Sequence, residues 1–368
     1  MKHPTRIATT LAIAVFASSA TTNAADHAVF VQTNAPDGNA IVIYDRSQDG
    51  TLTLAAAAPT GGNGSRAVGA PSDPLASQNS LVYDRSHQLL FAVNAGSDTV
   101  SVFTVDGDEL ELTQVVSSGG PFPVSISVRK NLAYVLDAGL AGFVSGFRID
   151  DDHLDPLEGS TCALGLANTN PPFFLSSPAQ VGFTPDGKHL IVTTKSFNLV
   201  DVFAVDHDGL LSAQPVQNAE APLPFPFIFG PADLLVLATA GNSSVETFSV
   251  DQGGTLVPRG APVPDGQAAA CWIVAARDFA YVANTGSNDI SQYRVRGDGS
   301  AVLVNAIAAS GIPGATDMTT ASGGNFLYVL SGTSSTVYAY RVEGDGSLTI
   351  LQTVPVPGGA NMEGIAAN

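Results

Sequence analysis

The stretch FLYVLSGTSSTVYAYRVEGDGS, residues 326–347, decides the fold because its pattern recurs along the chain. An apolar run is followed by a turn of small residues, a second apolar run that ends in an aromatic residue, and a polar Asp-Gly turn. Residues 89–110 (LLFAVNAGSDTVSVFTVDGDEL) and 279–300 (FAYVANTGSNDISQYRVRGDGS) are the other clear copies. Apolar runs separated by such turns predict short antiparallel strands.

The aromatic residue that closes the second run gives the number of copies. It occurs seven times, at Tyr44, Phe103, Phe147, Phe203, Phe248, Tyr293 and Tyr340. Four of the six steps are 44 to 47 residues, and the other two are 56 and 59. A period near 45 residues made of short strands is typical of propeller blades, which bury their faces only by stacking on one another. The sequence therefore predicts an all-β fold, a seven-bladed β-propeller.

The two ends of the repeat region predict how the ring closes. HAVFVQTN from His27 matches the second strand of a blade, so blade one lacks its innermost strand. GGANMEGIAAN from Gly358 matches that missing strand. We therefore expect the C-terminal strand to complete blade one, which removes free sheet edges.

The N-terminal residues have the pattern of a cleaved secretory signal. Lys2 and Arg6 give a positive start, an apolar stretch follows over residues 7–20, and small residues lead to Ala25. The apolar stretch is short for a membrane span. The sequence predicts a signal peptide over residues 1–25, one propeller domain over residues 26–368, and a periplasmic or secreted protein.

The charge of the remaining chain excludes some partners. Without Lys2 and Arg6 there are 13 basic and 33 acidic residues, a net charge of −20. Such a chain should repel nucleic acid and anionic membrane surfaces. We expect a monomer with no nucleic-acid partner and no membrane span. Export would permit a disulfide between Cys162 and Cys271, and the sequence leaves their pairing open.

Two long connections indicate where a ligand would bind. Residues 60–77 and 157–177 each join an outer strand to the next inner strand, so both should lie at the same end of the ring. Long loops gathered at one end often mark the ligand face. A small molecule or a protein ligand is expected there, and variable decoration is the alternative.

Alignment of the inner strands gives one equivalent position in each blade: Ser80, Ser125, Gln180, Pro226, Cys271, Asp317 and Glu363. Residues in register share a face, so this set is expected to line the mouth of the central tunnel. Asp317 and Glu363 should be neighbours at the closure. Two such carboxyl groups can share a proton for acid/base work or hold a divalent cation such as calcium. A water-filled tunnel without chemistry is the alternative.

Other reactive groups are scarce. The histidines after residue 25 fall outside the inner strands, which disfavours a Ser-His-Asp or Cys-His arrangement. Cys271, beside the single tryptophan Trp272, is interpreted as a small buried residue rather than a nucleophile. Several phenylalanines either line an apolar cup over the tunnel mouth or pack between blades, namely Phe122, Phe173, Phe174, Phe225, Phe227 and Phe229.

The sequence of the repeat resembles that of the lactonase-type seven-bladed propellers. The resemblance is clearest in FTPDGKHLIVTTKSFNLVDVFAVDHDG at residues 183–209. That family includes bacterial 6-phosphogluconolactonase and the fungal carboxymuconate cyclases, and the resemblance covers essentially the whole chain after residue 25. Where members often have His-Gln in blade four, this chain has Ala179-Gln180. Cys271 stands at a frequent glutamate, and Ala315-Thr316-Asp317 stands where Pro-Arg precedes Asp or Asn. The chain therefore resembles a divergent, exported branch.

The resemblance implies a lactonase-like hydrolase or cycloisomerase that acts on a cyclic ester at the tunnel mouth. Asp317 and Glu363 would then be the acid/base pair or the cation ligands, and Gln180 would orient the substrate. Substrate contacts are expected from Ser80, Ser125, Asn79, Thr316, Cys271, Trp272 and Phe225. The alternative is a non-catalytic propeller that holds a ligand or a protein on the face with the long loops.

The predicted signal peptide can be checked by the mass of the mature protein. Expressed with its native N-terminus in a bacterium with a periplasm, the protein should lose residues 1–24 or 1–25, because the small residues there suit signal peptidase. Intact mass spectrometry of the periplasmic fraction measures this. Recovery of the full-length chain from the cytoplasm would contradict the prediction.

Overall fold

The computed structural model describes residues 27–220 and 222–368, so the predicted signal peptide lies outside the described residues. The described part contains thirty strands and three single-turn 3-10 helices, at Pro231–Asp233, Ser322–Gly324 and Gly359–Asn361. In chain order the strands are β1 Ala28–Gln32, β2 Ala40–Arg46, β3 Leu52–Pro59, β4 Leu81–Asp84, β5 Leu89–Asn94, β6 Thr99–Asp106, β7 Glu109–Ser117, β8 Pro123–Arg129, β9 Leu132–Asp137, β10 Phe143–Asp150, β11 His153–Pro156, β12 Cys162–Ala163, β13 Pro178–Phe183, β14 His189–Thr194, β15 Leu199–Ala204, β16 Val216–Ala219, β17 Pro224–Phe229, β18 Leu235–Thr239, β19 Ser244–Val250, β20 Leu256–Pro258, β21 Val263–Pro264, β22 Ala270–Ala276, β23 Phe279–Asn284, β24 Asp289–Val295, β25 Ala301–Ser310, β26 Ala315–Thr320, β27 Phe326–Ser331, β28 Thr336–Val342, β29 Leu348–Pro355 and β30 Ile365–Ala367.

The strands form seven antiparallel sheets, which confirms the predicted seven-bladed β-propeller. From the tunnel outwards, blade one is β30-β1-β2-β3, and blades two to seven begin with β4, β8, β13, β17, β22 and β26. Two short strands, β12 and β21, add to the third strands of blades three and five. No helix in the described residues is long and apolar enough to cross a bilayer.

The predicted closure is confirmed at blade one. Strand β30 pairs antiparallel with β1, with Val29 opposite Ala367 and Val31 opposite Ile365. The Asn368 side chain completes the joint, because its Oδ1 accepts the Ala28 amide at 2.6 Å and its Nδ2 donates to the Gly107 carbonyl at 2.6 Å. The last residue therefore ties blade one to a turn of blade two.

Tyrosines on second strands bind neighbouring blades through the Asp-Gly turns. The hydroxyl of Tyr134 donates to the Gly209 carbonyl at 2.9 Å. Tyr281 bonds in the same way to Gly346 at 2.5 Å, and Tyr328 to Gly50 at 2.9 Å. Each bond joins one blade to the next, because the turn belongs to the following copy of the repeat.

Glycine is required at these turns for two reasons. Gly50 and Gly346 have φ values of 90° and 84°, in the region that L side chains rarely adopt. A Cβ at Gly50 would also lie 2.3 Å from the Phe326 ring, and one at Gly346 would lie 2.5 Å from the Phe279 ring. The Asp-Gly spacing seen in the sequence thus reflects close contact between blades.

The inner strands begin with a bulge. The register shifts near the start of five of them, for example between Pro178 and Gln180 and between Ala270 and Trp272. A bulge adds a residue on one strand and re-aims the side chains beside it. Strict alternation therefore does not hold at the level of the predicted tunnel-mouth set.

The two long connections meet at one end of the ring, which confirms their predicted placement. The Val68 amide donates to the Pro172 carbonyl at 2.8 Å, and the Phe174 amide donates to the Val68 carbonyl at 3.1 Å. We call this the loop-bearing end. The turns between second and third strands lie at this end as well, because the inner strands run away from it.

Removing the three hydroxyls that link the blades should weaken the fold measurably. The triple substitution Tyr134→Phe, Tyr281→Phe and Tyr328→Phe should lower the free energy of unfolding by about 3 kcal/mol, since each hydrogen bond contributes about 1 kcal/mol. Equilibrium denaturation in urea measures this. Tyr83→Phe is the control, because the structure gives the Tyr83 hydroxyl no such bond. A triple variant as stable as the parent would contradict the prediction.

Candidate functional site

The end of the first long connection enters the tunnel. Residues 75–79, which we call the plug, contact blades on opposite sides of the ring. The Gln78 amide donates to Ala179 of blade four at 3.0 Å, while its side chain exchanges two hydrogen bonds with the backbone of Ile273 in blade six. Ser77 Oγ donates to the Val124 carbonyl of blade three at 2.8 Å. The plug therefore spans the tunnel and divides it into two compartments.

A pocket of about 300 Å³ lies above the plug, at the loop-bearing end. We call it the upper pocket. Its lining is mainly apolar and includes Phe174, Leu175, Leu223, Phe225, Ala240 and Trp272. Its polar side chains include Ser72, Asp73, Lys195 and Thr285. An apolar pocket with a few convergent polar groups is the usual form of a small-molecule site.

Lys195 is buried beside this pocket. Its side chain is 2% exposed, its Nζ donates to the Ala76 carbonyl at 2.5 Å, and it lies 5.0 Å from the centre of the Phe225 ring. Burial lowers the pKa of Lys195 to about 8, and the charge of Asp73 opposes that fall. The ammonium group is therefore close to its titration point at neutral pH and is a suitable proton donor.

Asp73 and Glu363 form a buried carboxyl pair. The Leu75 amide donates to both, at 3.1 Å to Asp73 Oδ1 and at 2.6 Å to Glu363 Oε2, and the two carboxyl groups share a hydrogen bond. Burial, followed by the charge of Asp73, raises the pKa of Glu363 well above its usual range. We therefore place the shared proton on Glu363 and the negative charge on Asp73, facing Lys195.

A second cavity, of about 420 Å³, fills the tunnel below the plug. We call it the lower cavity. Each blade contributes the inner-strand residue two positions after the predicted tunnel-mouth set: Val82, Ser127, Gly182, Ile228, Ile273, Thr319 and Ile365. All seven therefore reach this cavity, together with several of their immediate neighbours such as Tyr83, Phe183 and Val274. Asn79, Gln180 and Asp317 also line this cavity.

The predicted tunnel-mouth set does not act as one ring. Ser80, Ser125, Pro226 and Glu363 line neither the upper pocket nor the lower cavity, which corrects their predicted placement. The reason is that the plug fills the tunnel at their level and binds Glu363 directly. Thr316 is likewise buried and lines neither space.

The amide of Gln180 is used by a neighbouring blade. Its Nε2 donates to the Phe227 carbonyl at 3.0 Å, and its Oε1 accepts the Phe227 amide at 2.7 Å. This pair of bonds joins blade four to blade five. The predicted role of Gln180 in orienting a substrate stays a prediction, and its bonds to Phe227 are structural.

Asp317 lies near Glu363, as predicted, but opens to the lower cavity. Its carboxyl oxygens accept the amides of Met318 at 2.8 Å and Ile365 at 3.3 Å. Burial raises the pKa of Asp317 to about 7. The three carboxyl groups of Asp73, Glu363 and Asp317 therefore run from the upper pocket, past the plug, to the lower cavity.

The aromatic residues divide between the two spaces. Trp272 is buried against the edge of Phe225, with ring centres 5.5 Å apart, and its Nε1 donates to the Ser77 carbonyl at 3.0 Å. Phe174 and Phe225 line the upper pocket, Phe227 and Phe229 line the lower cavity, and Phe122 is part of the core. Both predicted roles for the phenylalanines thus occur.

Both cysteines are free thiols. Cys271 lines the upper pocket, and burial raises the pKa of its thiol to about 12. A thiol with such a pKa is almost entirely protonated near neutral pH, so it is a poor nucleophile. This agrees with the interpretation that Cys271 is not a nucleophile, although the residue is half-buried rather than buried.

The oxygens of the carboxyl pair suit protons better than a cation. The Leu75 amide already donates to Glu363 Oε2, the Ser77 hydroxyl oxygen lies 3.1 Å from Glu363 Oε1, and a lysine ammonium lies nearby. A calcium ion would need several free oxygen ligands and no adjacent positive charge. Among the described residues, the one group of three metal-ligand side chains is the exposed run Asp206, His207 and Asp208. The calcium site at Asp317 and Glu363 stays a prediction.

Two functional candidates, Asp73 and Lys195, were missed at the sequence level. The repeat carries a signal for Lys195, because six equivalent turn positions hold small residues: Thr33, Ala95, Ala138, Ala240, Thr285 and Gly332. A lysine at such a position is an exception that marks a special contact. Asp73 lies in a non-repeating loop, where no register could place it.

Comparisons with known proteins agree with this architecture. The sequence profile of the family described as "Lactonase, 7-bladed beta-propeller" matches residues 80–271 and 260–363. A search among curated proteins found no match.

Solved structures of the same shape include a Lactobacillus plantarum protein, with 20% identity, TM-score 0.69, and coverage of 91% of this chain and 98% of that one. A periplasmic gluconolactonase of Pseudomonas aeruginosa has 16% identity, TM-score 0.69, and coverage of 93% and 98%. A proposed 6-phosphogluconolactonase of Bacteroides uniformis has 16% identity, TM-score 0.68, and coverage of 93% and 100%. At these identities the likeness shows the fold alone.

Buried carboxyl groups should make the fold less stable as the pH rises. The pKa values of Asp317 and Asp137 are each raised to about 7 by burial, against about 3.8 when exposed. A raised carboxyl pKa gives stability that is present below pH 4 and is lost as the pH rises to about 7. The melting temperature should therefore fall between pH 5 and pH 8.

The matched variant is Asp137→Asn, which lies outside the upper pocket. Its melting temperature should fall less between pH 5 and pH 8, because one of the titrating groups is gone. Asp206→Asn, at an exposed turn, should behave as the parent does. Scanning calorimetry at several pH values measures all three proteins. A melting temperature that rises from pH 5 to pH 8 in the parent would refute the assignment.

Proposed function

The chain belongs to the lactonase family of seven-bladed β-propellers, and on this premise we propose that it hydrolyses a lactone in the upper pocket. The observation that carries the proposal is the juxtaposition of the Lys195 ammonium and the Asp73–Glu363 carboxyl pair beside a mainly apolar pocket. A base, an acid and a binding space are the three parts that ester hydrolysis needs.

The protonation states of Lys195, Asp73 and Glu363 suit the hydrolysis of an ester. Burial raises the pKa of Asp73, while the hydrogen bond from Glu363 and the charge of Lys195 act to lower it. We propose that Asp73 is the ionised partner of the pair, which can accept a proton from water. Lys195 uses one of its three N–H groups on the Ala76 carbonyl, so two remain for a lactone oxygen. In a water-poor pocket such donors stabilise developing negative charge more strongly than they would in solvent.

The proposed reaction has two bond changes. Asp73 takes a proton from a water molecule, whose oxygen forms a bond to the lactone carbonyl carbon. The bond between that carbon and the ring oxygen then breaks, and Lys195 gives a proton to the departing oxygen. The product is a hydroxy acid. Asp73 returns its proton to Lys195, and the new carboxylic acid releases one proton to solvent.

The position of the site differs from the predicted one. Glu363 keeps a role as the proton-holding partner of Asp73, whereas Asp317 and Gln180 lie on the other side of the plug. The three positions at which resembling lactonases often carry His, Glu and Arg are Ala179, Cys271 and Thr316 here. We propose that Asp73 and Lys195 supply the charged groups instead. We also propose that the protein works after export, on the strength of its N-terminal residues.

Substitution of either charged group should abolish most of the activity. Lys195→Met and Asp73→Asn should each lower kcat by about a hundredfold or more, the usual contribution of a general acid or base. A pH-stat assay with δ-valerolactone and δ-decalactone, corrected for spontaneous hydrolysis, measures the rate. Lys188→Met and Asp206→Asn are the exposed controls and should retain full activity.

The pH profile separates a chemical role from a structural one. The parent should lose activity above about pH 8 as Lys195 loses its proton, because burial lowers its pKa to about 8. Lys195→Arg keeps a charge that does not titrate in this range, so any residual activity should lack that alkaline fall. Absence of lactone turnover in the parent, or full activity in Lys195→Met, would overturn the proposed function.

A further inference from the structure

The walls of the upper pocket restrict what can bind there. Beyond the cluster of charged groups, the pocket is bounded by Phe174 and Leu175 of the second long connection, by Leu223, Phe225 and Ala240 of blade five, and by Ala269 and Trp272 of blade six. Its volume of about 300 Å³ is at the small end of the range for ligand sites. It has room for one ring with a short substituent.

The upper pocket has few groups that could bind a phosphate. Lys195 is the one basic side chain among its described lining residues, and Asp73 faces it. A phosphate dianion is usually held by several Arg or Lys donors or by a helix N-terminus. Without them, its two charges would lie against Phe and Leu side chains at a large desolvation cost.

The pocket also has few partners for sugar hydroxyls. Among its polar side chains, the Thr285 hydroxyl already donates to the Ala315 carbonyl at 2.7 Å. Ser72 Oγ lies 3.5 Å from the Thr333 hydroxyl, near the rim. A polyhydroxylated ring would therefore leave hydroxyls without hydrogen bonds, and each such group costs about tenfold in affinity.

We infer that the ligand of the upper pocket is an uncharged lactone with an alkyl substituent, and that phosphorylated and polyhydroxylated sugar lactones are excluded. As a statement about substrate, the inference rests on the proposed function. The ester group would face Lys195 and Asp73, and the alkyl chain would lie against Phe174, Leu223 and Phe225. The alkyl chain of the ligand would contribute to affinity because its apolar surface is removed from water on binding.

The test is a series of δ-lactones with the same ring and alkyl chains of increasing length, from δ-valerolactone to δ-decalactone. Each added methylene should raise kcat/KM by about fourfold until the pocket is full. For glucono-δ-lactone and its 6-phosphate, kcat/KM should be at least a hundredfold lower than for δ-decalactone. If they are hydrolysed as well as δ-decalactone, the inferred substrate class is wrong, while the proposed hydrolysis stands.

Binding can be measured without turnover. Trp272 is the single tryptophan of the chain and lines the pocket, so a ligand there should change the intrinsic fluorescence. Alkylcyclohexanones have the same shape but no ester bond, and their affinity should increase with chain length in the same way. If the affinity of the alkylcyclohexanones increases with chain length but no lactone is hydrolysed, the proposed hydrolysis is refuted and the preference of the pocket for alkyl chains is supported. If neither they nor the alkyl lactones bind, the inference is refuted.

A variant that fills part of the upper pocket tests whether the alkyl chain of the substrate binds there. Ala240→Leu places added carbon atoms in the pocket, so the best chain length should become shorter and kcat/KM for δ-decalactone should fall by about tenfold or more. Ala56→Leu is the matched control, because Ala56 is exposed on the outer strand β3. An unchanged chain-length profile in Ala240→Leu would show that the alkyl chain binds elsewhere.

Discussion

The pairing of β30 with β1 is the constraint on which the rest of the structure depends. A blade buries its faces only between two neighbours, so an open ring would expose one face at each side of the gap. Eleven residues at the C-terminus, 358–368, supply the strand that closes it. Once closed, the ring creates a tunnel whose width the seven inner strands set. The charged groups of the candidate site lie along that tunnel.

The plug converts the tunnel from a passage into two separate spaces. It does so with hydrogen bonds to several blades, and in particular with the two bonds between the Gln78 side chain and the Ile273 backbone. The carboxyl groups beside the plug are buried, so they are held in a poorly solvated environment. This is the physical cause of the raised pKa of Glu363 and of Asp317. The acid and base character of the site thus follows from how the tunnel is filled.

Under the proposed function, the location of the charged groups would let this chain act without the side chains that lactonase-type propellers often carry. A propeller supplies many turns at its loop-bearing end, and each can carry a side chain to the axis. Here Lys195 comes from the turn between the second and third strands of blade four, and Asp73 comes from a loop. A strongly acidic chain keeps this one lysine buried because the neighbouring Asp73 balances its charge.

The sequence by itself determined the number of blades, the order of their strands and the closure of the ring. These follow from local rules, since strand alternation acts over a few residues and recurs in seven blades, and the Asp-Gly turn recurs in five of them. Only the tertiary structure decided which groups form the site. The bulges re-aim the first inner-strand residues, and residues 75–79 cross the tunnel to Glu363, 288 positions away from Leu75 in the chain. Asp73 and Lys195 meet because the ring brings a loop and a distant turn to one axis, a contact that no local pattern encodes.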